Sequence, residues 1–359
     1  MKILILNWRD PVNPKSGGAE EVLWQYAQHL IKQKHQVTWL SNRFTNAKSL
    51  EDIFVRVDPN LPFYNPYLML VCYPLFFINV CFKAYQLHRR EHFDLVIDAI
   101  HGLPSFAPLF LNTKITLFVC EVAGTIWDKM YPFPISAVGQ LLEKIVYYVY
   151  QKCRIWAISE STRRDILQIN PQLKVDILPL GIDTTKFKPQ KKFAFPSAVF
   201  VARLVKMKGI ESALAAAKQI VQKLPNFKLF VVGGGNTDYV ASLDHGLYVE
   251  FLGRADDTIR NKLYAKCHFL LHPSYKEGFG LTVLEAGASG TPTIARKGSS
   301  MDELIAHGKD GLLFDDNGQI ADFFLKYFKS SQYTQLERLA RIKSESYDWK
   351  TILKNENLA

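Results

Sequence analysis

The strongest constraint on this chain is a repeated alternation of two patterns. Short apolar runs end at glycine, proline or a polar cluster, and segments with helical spacing of apolar residues follow them. In the first half Lys2 to Trp8, His35 to Ser41, Phe93 to Ala99, Lys114 to Cys120, Arg154 to Ile158 and Val175 to Leu178 read as strands. In the second half Ala198 to Ala202, Phe227 to Val232, Val249 to Leu252, His268 to Leu271, Thr293 to Ala295 and Gly311 to Phe314 do so. Ala19 to Gln33, Ile135 to Cys153, Ile210 to Leu224 and Thr258 to Lys266 have helical periodicity, as do 319–329 and 332–345. Buried strands joined by helical crossovers form parallel, doubly wound sheets. Such sheets hold ligands at the carboxyl ends of their strands. The pattern predicts two α/β domains, with Pro179-Leu180-Gly181-Ile182-Asp183 as the punctuation between residues 1–180 and 181–339.

One stretch concentrates chemistry at such an end. Residues 271–292 read LHPSYKEGFGLTVLEAGASGTP: the end of a strand, a glycine loop, and a helix stopped by Gly290 and Pro292. Gly278 and Gly280 flank Phe279, so the backbone can turn and a ligand can approach it. A glycine loop feeding a helix start offers free N–H groups to an anion. Glu277 and Glu285 repel phosphate but accept hydrogen bonds from hydroxyls. The combination suits a nucleotide sugar: diphosphate on the loop amides, sugar hydroxyls on Glu277, ribose hydroxyls on Glu285. An ordinary strand-loop-helix unit with surface carboxylates is the plainer reading.

Two more loops carry the same kind of signal. Ser16-Gly17-Gly18 follows the first strand and opens a helix with Glu20 and Glu21 in its first turn. Gly17 and Gly18 either bring amides to a phosphate or form a loop without a ligand. Residues 203–209 carry three cations: Arg203, Lys206 and Lys208.

Charge and cysteine content narrow the partners. The net charge is +10, with 44 Lys+Arg against 34 Asp+Glu, and the excess is spread over both halves. A nucleic-acid partner would need a concentrated basic face; an acidic substrate or an anionic membrane surface would not. The five cysteines show no CxxC spacing, which suits reduced thiols and a cytoplasmic setting. The segment 61–90 is the odd one in composition. Tyr64 to Phe82 has no charge and many large apolar groups, and Lys83, His88, Arg89 and Arg90 follow. Asn65, Pro66, Pro74 and Asn79 interrupt it as a membrane span. It reads as a helix buried in the first domain or as an interfacial helix that dips into a bilayer face.

Landmarks in order along the chain resemble those of family 4 glycosyltransferases. They are SGGAE at 16–20, AISESTRRD at 157–165, LPLGIDTTKF at 178–187, FVARLVKMKG at 200–209, VVGGG at 231–235, VEFLG at 249–253, E-x7-E at 277–285 and KDGLLF at 309–314. The resemblance implies the GT-B fold, two Rossmann-like doubly wound domains facing each other across a cleft. It implies an acceptor-binding domain over 1–180, joined by the C-terminal helix around 340–359, and a nucleotide-sugar domain over 181–339. Tyr347-Asp348-Trp349 would cross back to the first domain.

The resemblance also implies site roles. Arg203 and Lys208 would grip the donor diphosphate, and with Glu277 they would form the catalytic group. Glu277 would face the donor sugar, with Gly278 and the amides of Phe279, Gly280 and Leu281 nearby. Glu285 would take the ribose, residues 249–253 would lie near the base, and Gly17 and Gly18 would line the phosphate and acceptor side. Breaking a sugar–phosphate bond builds negative charge on the diphosphate, and something positive must be placed there beforehand. The sequence has no Asp-x-Asp metal motif, so Arg203 and Lys208 are expected to act without a metal and without a cofactor. One position departs from the family. Many members carry a histidine at the strand tip where this chain has Cys120, followed by Glu121. Either Glu121 or His101 makes the acceptor or sugar contact in its place, or activity is lower or the acceptor unusual.

The expected activity is retaining, metal-independent transfer from a UDP- or GDP-type sugar to a saccharide or lipid-linked acceptor. The expected setting is surface polysaccharide or glycolipid synthesis in the cytoplasm, with peripheral membrane contact and no nucleic acid. A scaffold that binds a nucleotide sugar without transfer is the alternative. Gly233-Gly234-Gly235 lacks the G-x-G-x-x-G spacing of a dinucleotide fold, and nothing marks a pyridoxal lysine.

Overall fold

A computed structural model describes residues 1–13, 16–44, 53–57, 69–100 and 103–352. The chain divides into two compact units at Pro179 and Leu180. In the first, the described strands are β1 (Lys2–Leu6), β2 (Gln36–Asn42), β3 (Phe54–Val57), β4 (Leu95–Ile100), β5 (Lys114–Val119), β6 (Arg154–Ala157) and β7 (Val175–Ile177). They form one parallel sheet in the order β3-β2-β1-β4-β5-β6-β7. The helices are α1 (Gly18–Lys32), α2 (Met69–Glu91), α3 (Ile126–Met130), α4 (Ile135–Val149) and α5 (Glu160–Ile169). The central strands are buried on both faces, which is why they read as unbroken apolar runs.

The second unit repeats the plan. Its described strands are β8 (Ser197–Val201), β9 (Lys228–Val232), β10 (Val249–Gly253), β11 (Phe269–His272), β12 (Thr293–Arg296) and β13 (Gly311–Phe314). They pair in parallel in the order β10-β9-β8-β11-β12-β13. The helices are α6 (Ile210–Lys223), α7 (Thr237–Ala241), α8 (Asp257–Lys266), α9 (Leu281–Ala288), α10 (Met301–Leu304), α11 (Gln319–Tyr327), α12 (Ser331–Ser346) and α13 (Trp349–Ile352). The strand order reverses between β8 and β11, and the loops after both carry the candidate donor residues. That is where a doubly wound sheet opens a crevice.

Segment 61–90 is partly described: residues 69–91 form one helix, while 61–68 lie outside the described residues. Its inner face is buried and its outer face is not. Among the described residues, no helix is long and apolar enough to cross a membrane. The described part of the C-terminal segment, residues 340–352, packs within the second unit; residues 353–359 lie outside the described set. The cause is local. A Cβ on Gly287 of α9 would meet the Ser344 hydroxyl at 2.2 Å, so α12 sits tight on α9. The backbone of Ile182 pairs with Tyr347 and Trp349, and Thr184 donates to Asp348 from both its N–H (3.2 Å) and its hydroxyl.

Asp348 thus staples the stretch that follows Pro179 to the end of the second unit. Burial raises its carboxyl, but the Thr184 and Lys350 bonds outweigh this and hold it below the ordinary value. Asp348→Ala is expected to lower unfolding free energy by about 1–3 kcal/mol in urea titration. An unchanged midpoint would show that the staple carries no stability.

Candidate donor-sugar site

The site begins with two loops that the fold presses together. After β8 the chain makes a single 3-10 turn at Lys206–Lys208 and enters α6 through Gly209 at φ 70°. A Cβ there would lie 2.3 Å from the Pro273 carbonyl oxygen, so only glycine allows this approach. The Tyr275 N–H donates to the Met207 carbonyl at 3.0 Å and ties the loop after β11 to the same place. Lys208 is therefore delivered beside Glu277.

Lys208 Nζ donates to Glu277 Oε2 at 2.7 Å, with both side chains about one-fifth exposed. His272, the last residue of β11, is buried and puts Nε2 3.3 Å from the same oxygen. That contact is poorly aligned for a hydrogen bond, and Nε2 has no well-aligned partner. The Glu277 backbone is held too: its N–H donates to the Ser299 hydroxyl at 3.3 Å and its carbonyl accepts from the Ser300 hydroxyl at 2.9 Å. Burial pushes the Glu277 carboxyl up, but Lys208 and His272 overcome it and hold the group well below the carboxylate range. Glu277 is a fixed anion that can accept from sugar hydroxyls. Lys208 has three N–H donors and spends one on it.

The glycine loop then opens α9. Gly280 caps the helix at φ 103°, and a Cβ there would lie 2.4 Å from Met301 Cε. The first-turn N–H groups that follow Phe279 and Gly280, starting at Leu281, are the ones a helix leaves unbonded within itself. Glu285 lies one turn on, where Tyr264 donates to its Oε2 at 3.0 Å and Arg260 Nε stands 3.9 Å away. Phe279 packs its ring against Tyr347, 5.9 Å between centroids. Thus Lys208, Glu277, Gly278, Phe279, Gly280, Leu281 and Glu285 share one corner of the second sheet. Arg203 is exposed at the end of β8 and has no ion pair among the described residues.

The first unit gathers its own candidates. Gly17 caps α1 at the carboxyl end of β1, and its N–H donates to Glu20 Oε2 at 2.7 Å. Gly17 and Gly18 are both exposed. Glu20 is buried at the same edge as Cys120 and Glu121, which follow β5. Burial, then the charges of Glu20 and Glu121, push the Cys120 thiol far up, so it stays protonated. His101 lies outside the described residues. Among the described residues, no group of three or more His, Cys, Asp or Glu side chains could hold a metal ion.

Sequence reasoning missed two residues. His272 looked like the tail of an apolar strand; its signal was a lone polar group at a strand's carboxyl end just before Pro273. Glu143, an acid inside an apolar helix, is buried and accepts from the Ala123 N–H (2.6 Å), the Gly124 N–H (2.8 Å) and Trp127 Nε1 (3.2 Å). It fixes the loop that carries Glu121.

Two family models divide the chain. Glycosyltransferase Family 4 matches residues 16–186. Glycosyl transferases group 1 matches residues 182–348, which hold the whole Lys208–Glu277–Glu285 corner. The chain belongs to family 4 of the glycosyltransferases. It is 30% identical over 184 residues to an uncharacterized glycosyltransferase of Methanocaldococcus jannaschii, covering 45% of this chain and 47% of that protein. It is 21% identical over 383 residues to a phosphatidylinositol N-acetylglucosaminyltransferase polypeptide of Arabidopsis thaliana, covering 99% and 81%. The chain spans about half the length, or less, of the first curated relatives it matches. Among solved structures, Anabaena HepE in complex with UDP-glucose superposes with a TM-score of 0.76 at 20% identity, covering 98% of this chain and 97% of that one. The shared fold is the α/β GT-B architecture of two Rossmann-like units.

The Lys208–Glu277 pair fixes a pH dependence for this family 4 chain. A carboxyl depressed on folding adds stability that is complete above its unfolded value, near 4.5, and is lost as pH falls through the folded value. Lys208→Met removes the cation and leaves the burial. In urea titrations the variant is expected to lie about 1–3 kcal/mol below wild type at about pH 7. The gap should shrink steadily below about pH 4.5. An equal gap at both ends of that range would refute the ion pair as its cause.

Proposed function

We propose that the protein transfers a sugar from a UDP- or GDP-type nucleotide sugar to a saccharide or lipid-linked acceptor, with retention and without a metal. The observation that carries this is the second-unit corner. It sets one fixed anion for hydroxyls, Glu277, beside a cation with unused donors, Lys208. A helix start with free amides and a second carboxylate, Glu285, lie next to them. His272 Nε2 adds a buried polar atom that a donor hydroxyl or phosphate oxygen would satisfy. Arg203, exposed on the adjacent loop, supplies a second charge for the diphosphate as negative charge builds on it.

Support for the donor comes from HepE, a fold relative described in complex with UDP-glucose. Support for a glycolipid acceptor comes from the Arabidopsis relative, whose name describes transfer of N-acetylglucosamine in phosphatidylinositol chemistry. No side chain in the corner is an obvious nucleophile. This fits front-face attack, in which the departing diphosphate takes the acceptor proton. Synthesis at the cytoplasmic face of a membrane follows from this reading.

Cys120 favours a second reading, a scaffold that binds the donor without transfer. A protonated thiol gives the sugar no charged contact where many family members place an imidazole. Transfer assays over a broad acceptor panel separate the two: binding without product supports the scaffold.

The donor site itself is tested by thermal-shift titration with UDP, GDP, ADP and their sugar conjugates in chelator. A nucleotide at about 100 times its dissociation constant adds about 2.7 kcal/mol of stability. The expected result is a shift with one base that survives chelation and is lost in Glu285→Ala. No shift with any nucleotide would sink the donor reading, and a shift abolished by chelator would sink metal independence.

A further inference from the structure

The first unit carries two helices that are apolar on both faces. The inner face of α2 places Val80, Ala84 and Leu87 in the core. Its outer face leaves Leu75, Ile78, Phe82 and Tyr85 exposed, Phe82 by 64%. These four recur at helical spacing and form a continuous stripe. Helix α4 repeats the arrangement. Its inner face holds Gly139, Glu143, Val146 and Tyr147, and a Cβ on Gly139 would fall 2.4 Å from the Trp127 ring. Its outer face leaves Val138, Leu141, Ile145 and Tyr148 exposed, Leu141 by 59%.

The two stripes lie on one side of the sheet. Helix α2 leads from β3 to β4 and α4 from β5 to β6, and both connections step the same way along the sheet order. Right-handed crossovers then put both helices on the same face. Their inner residues meet in one core cluster. Both helices also run back from the carboxyl edge to the amino edge, so their ends match. Phe133, 83% exposed, precedes α4 at the carboxyl edge.

Cations outnumber acids on these two helices. From Leu75 to Arg90 there is no acid, and Lys83, Arg89 and Arg90 are present; Glu91 closes α2 and pairs with Arg90 at 2.8 Å. On α4 the one acid, Glu143, is turned inward onto the 123–127 loop, while Lys144 is exposed. Lys152 follows at the basic end. A soluble surface rarely leaves two apolar stripes uncovered on one face of a sheet. Asp128, which accepts from Gln140 at 2.8 Å, and Glu91 are the acids beside them. Apolar stripes with an excess of cations match an interface of acyl chains under anionic headgroups.

We propose that the outer faces of α2 and α4 form one membrane-docking surface that binds an anionic bilayer in its plane. This deepens the lipid-linked acceptor reading, on which it rests for its purpose but not for its test. Docked so, the carboxyl edge of the first sheet, with Gly17, Gly18 and Glu121, belongs to the unit held at the headgroup layer where a lipid-linked acceptor presents its polar end.

The test is co-sedimentation of the full chain with vesicles of phosphatidylglycerol and phosphatidylcholine in equal parts, and of phosphatidylcholine alone. The variants are the pairs Ile78→Ser with Phe82→Ser, and Leu141→Ser with Ile145→Ser. All four side chains are exposed, so the fold should persist, checked by circular dichroism. The expected result is binding to the anionic vesicles that weakens with salt and falls by about tenfold or more in either pair. Lys144→Gln with Lys152→Gln should flatten the salt dependence. Equal binding of wild type and both pairs, or no binding to either vesicle, would overturn the proposal. So would a wild-type dimer without vesicle binding that the serine pairs convert to monomer, since the occupant would then be a second copy. Nucleotide thermal shifts on the same variants should match wild type. Their absence in every protein would count against the donor site and leave the docking result standing.

Discussion

Everything at the candidate site depends on keeping a carboxylate ionised where water is scarce. Glu277 sits on a loop whose burial disfavours its charge. Lys208 reverses that balance at 2.7 Å, and it arrives there because Gly209 lets one loop lie on the carbonyl of Pro273 in the next. A side chain at Gly209 would collide with the Pro273 carbonyl, and Lys208 is the first of the groups, with His272, that offset the burial of the acid. The seryl bonds from Ser299 and Ser300 then hold the Glu277 backbone from the far side. The result is an anion and a cation set side by side before any substrate arrives. Preset charges of this kind stabilise a transition state whose charge is changing.

Much of this could be read from residue order alone. The parallel strands were visible because a strand buried on both faces has no polar alternation to obscure it. The loop and helix around α9 were visible because Gly278 and Gly280 punctuate the loop before it and Gly290 and Pro292 follow its end. The pairing of Lys208 with Glu277 was not, since the two are far apart in sequence and meet only when β8 and β11 become neighbours. His272 was hidden for a different reason: as a lone polar residue at the end of an apolar strand it carries no motif, and only the turn of the loop brings it to Glu277 five residues on. β3 was missed because Phe54–Val57 is short and its run is broken by Arg56. The return of the C-terminus to the first unit came from family resemblance; the packing of Ser344 on Gly287 and of Asp348 on Thr184 keeps residues 344–348 within the second unit, and the residues after 352 lie outside the described set. Composition could not decide between a buried and an interfacial helix at 69–91, because the helix is apolar on both faces and so answers to both descriptions.

The two units differ in what they present. The second holds the charged corner suited to a diphosphate sugar. The first has a helix start at Gly17, a protonated Cys120, and a loop after β5 pinned by Glu143. Its surface differs as well, with apolar stripes on α2 and α4 bordered by cations. Sugar transfer to a lipid-linked acceptor would ask for both: a preset charge pair for the leaving group, and a face that keeps the enzyme where the acceptor is.

The central claim is that the loop from Glu277 into α9 receives the donor. Hydrogen–deuterium exchange of the backbone amides at 278–282 tests it most directly, with and without UDP, GDP or their sugar conjugates at calorimetrically established saturation. The account predicts clearly slower exchange at Phe279, Gly280 and Leu281 when the nucleotide is bound, because their N–H groups would then donate to its phosphates. Unchanged exchange across that stretch in the saturated protein would contradict it and place the donor elsewhere.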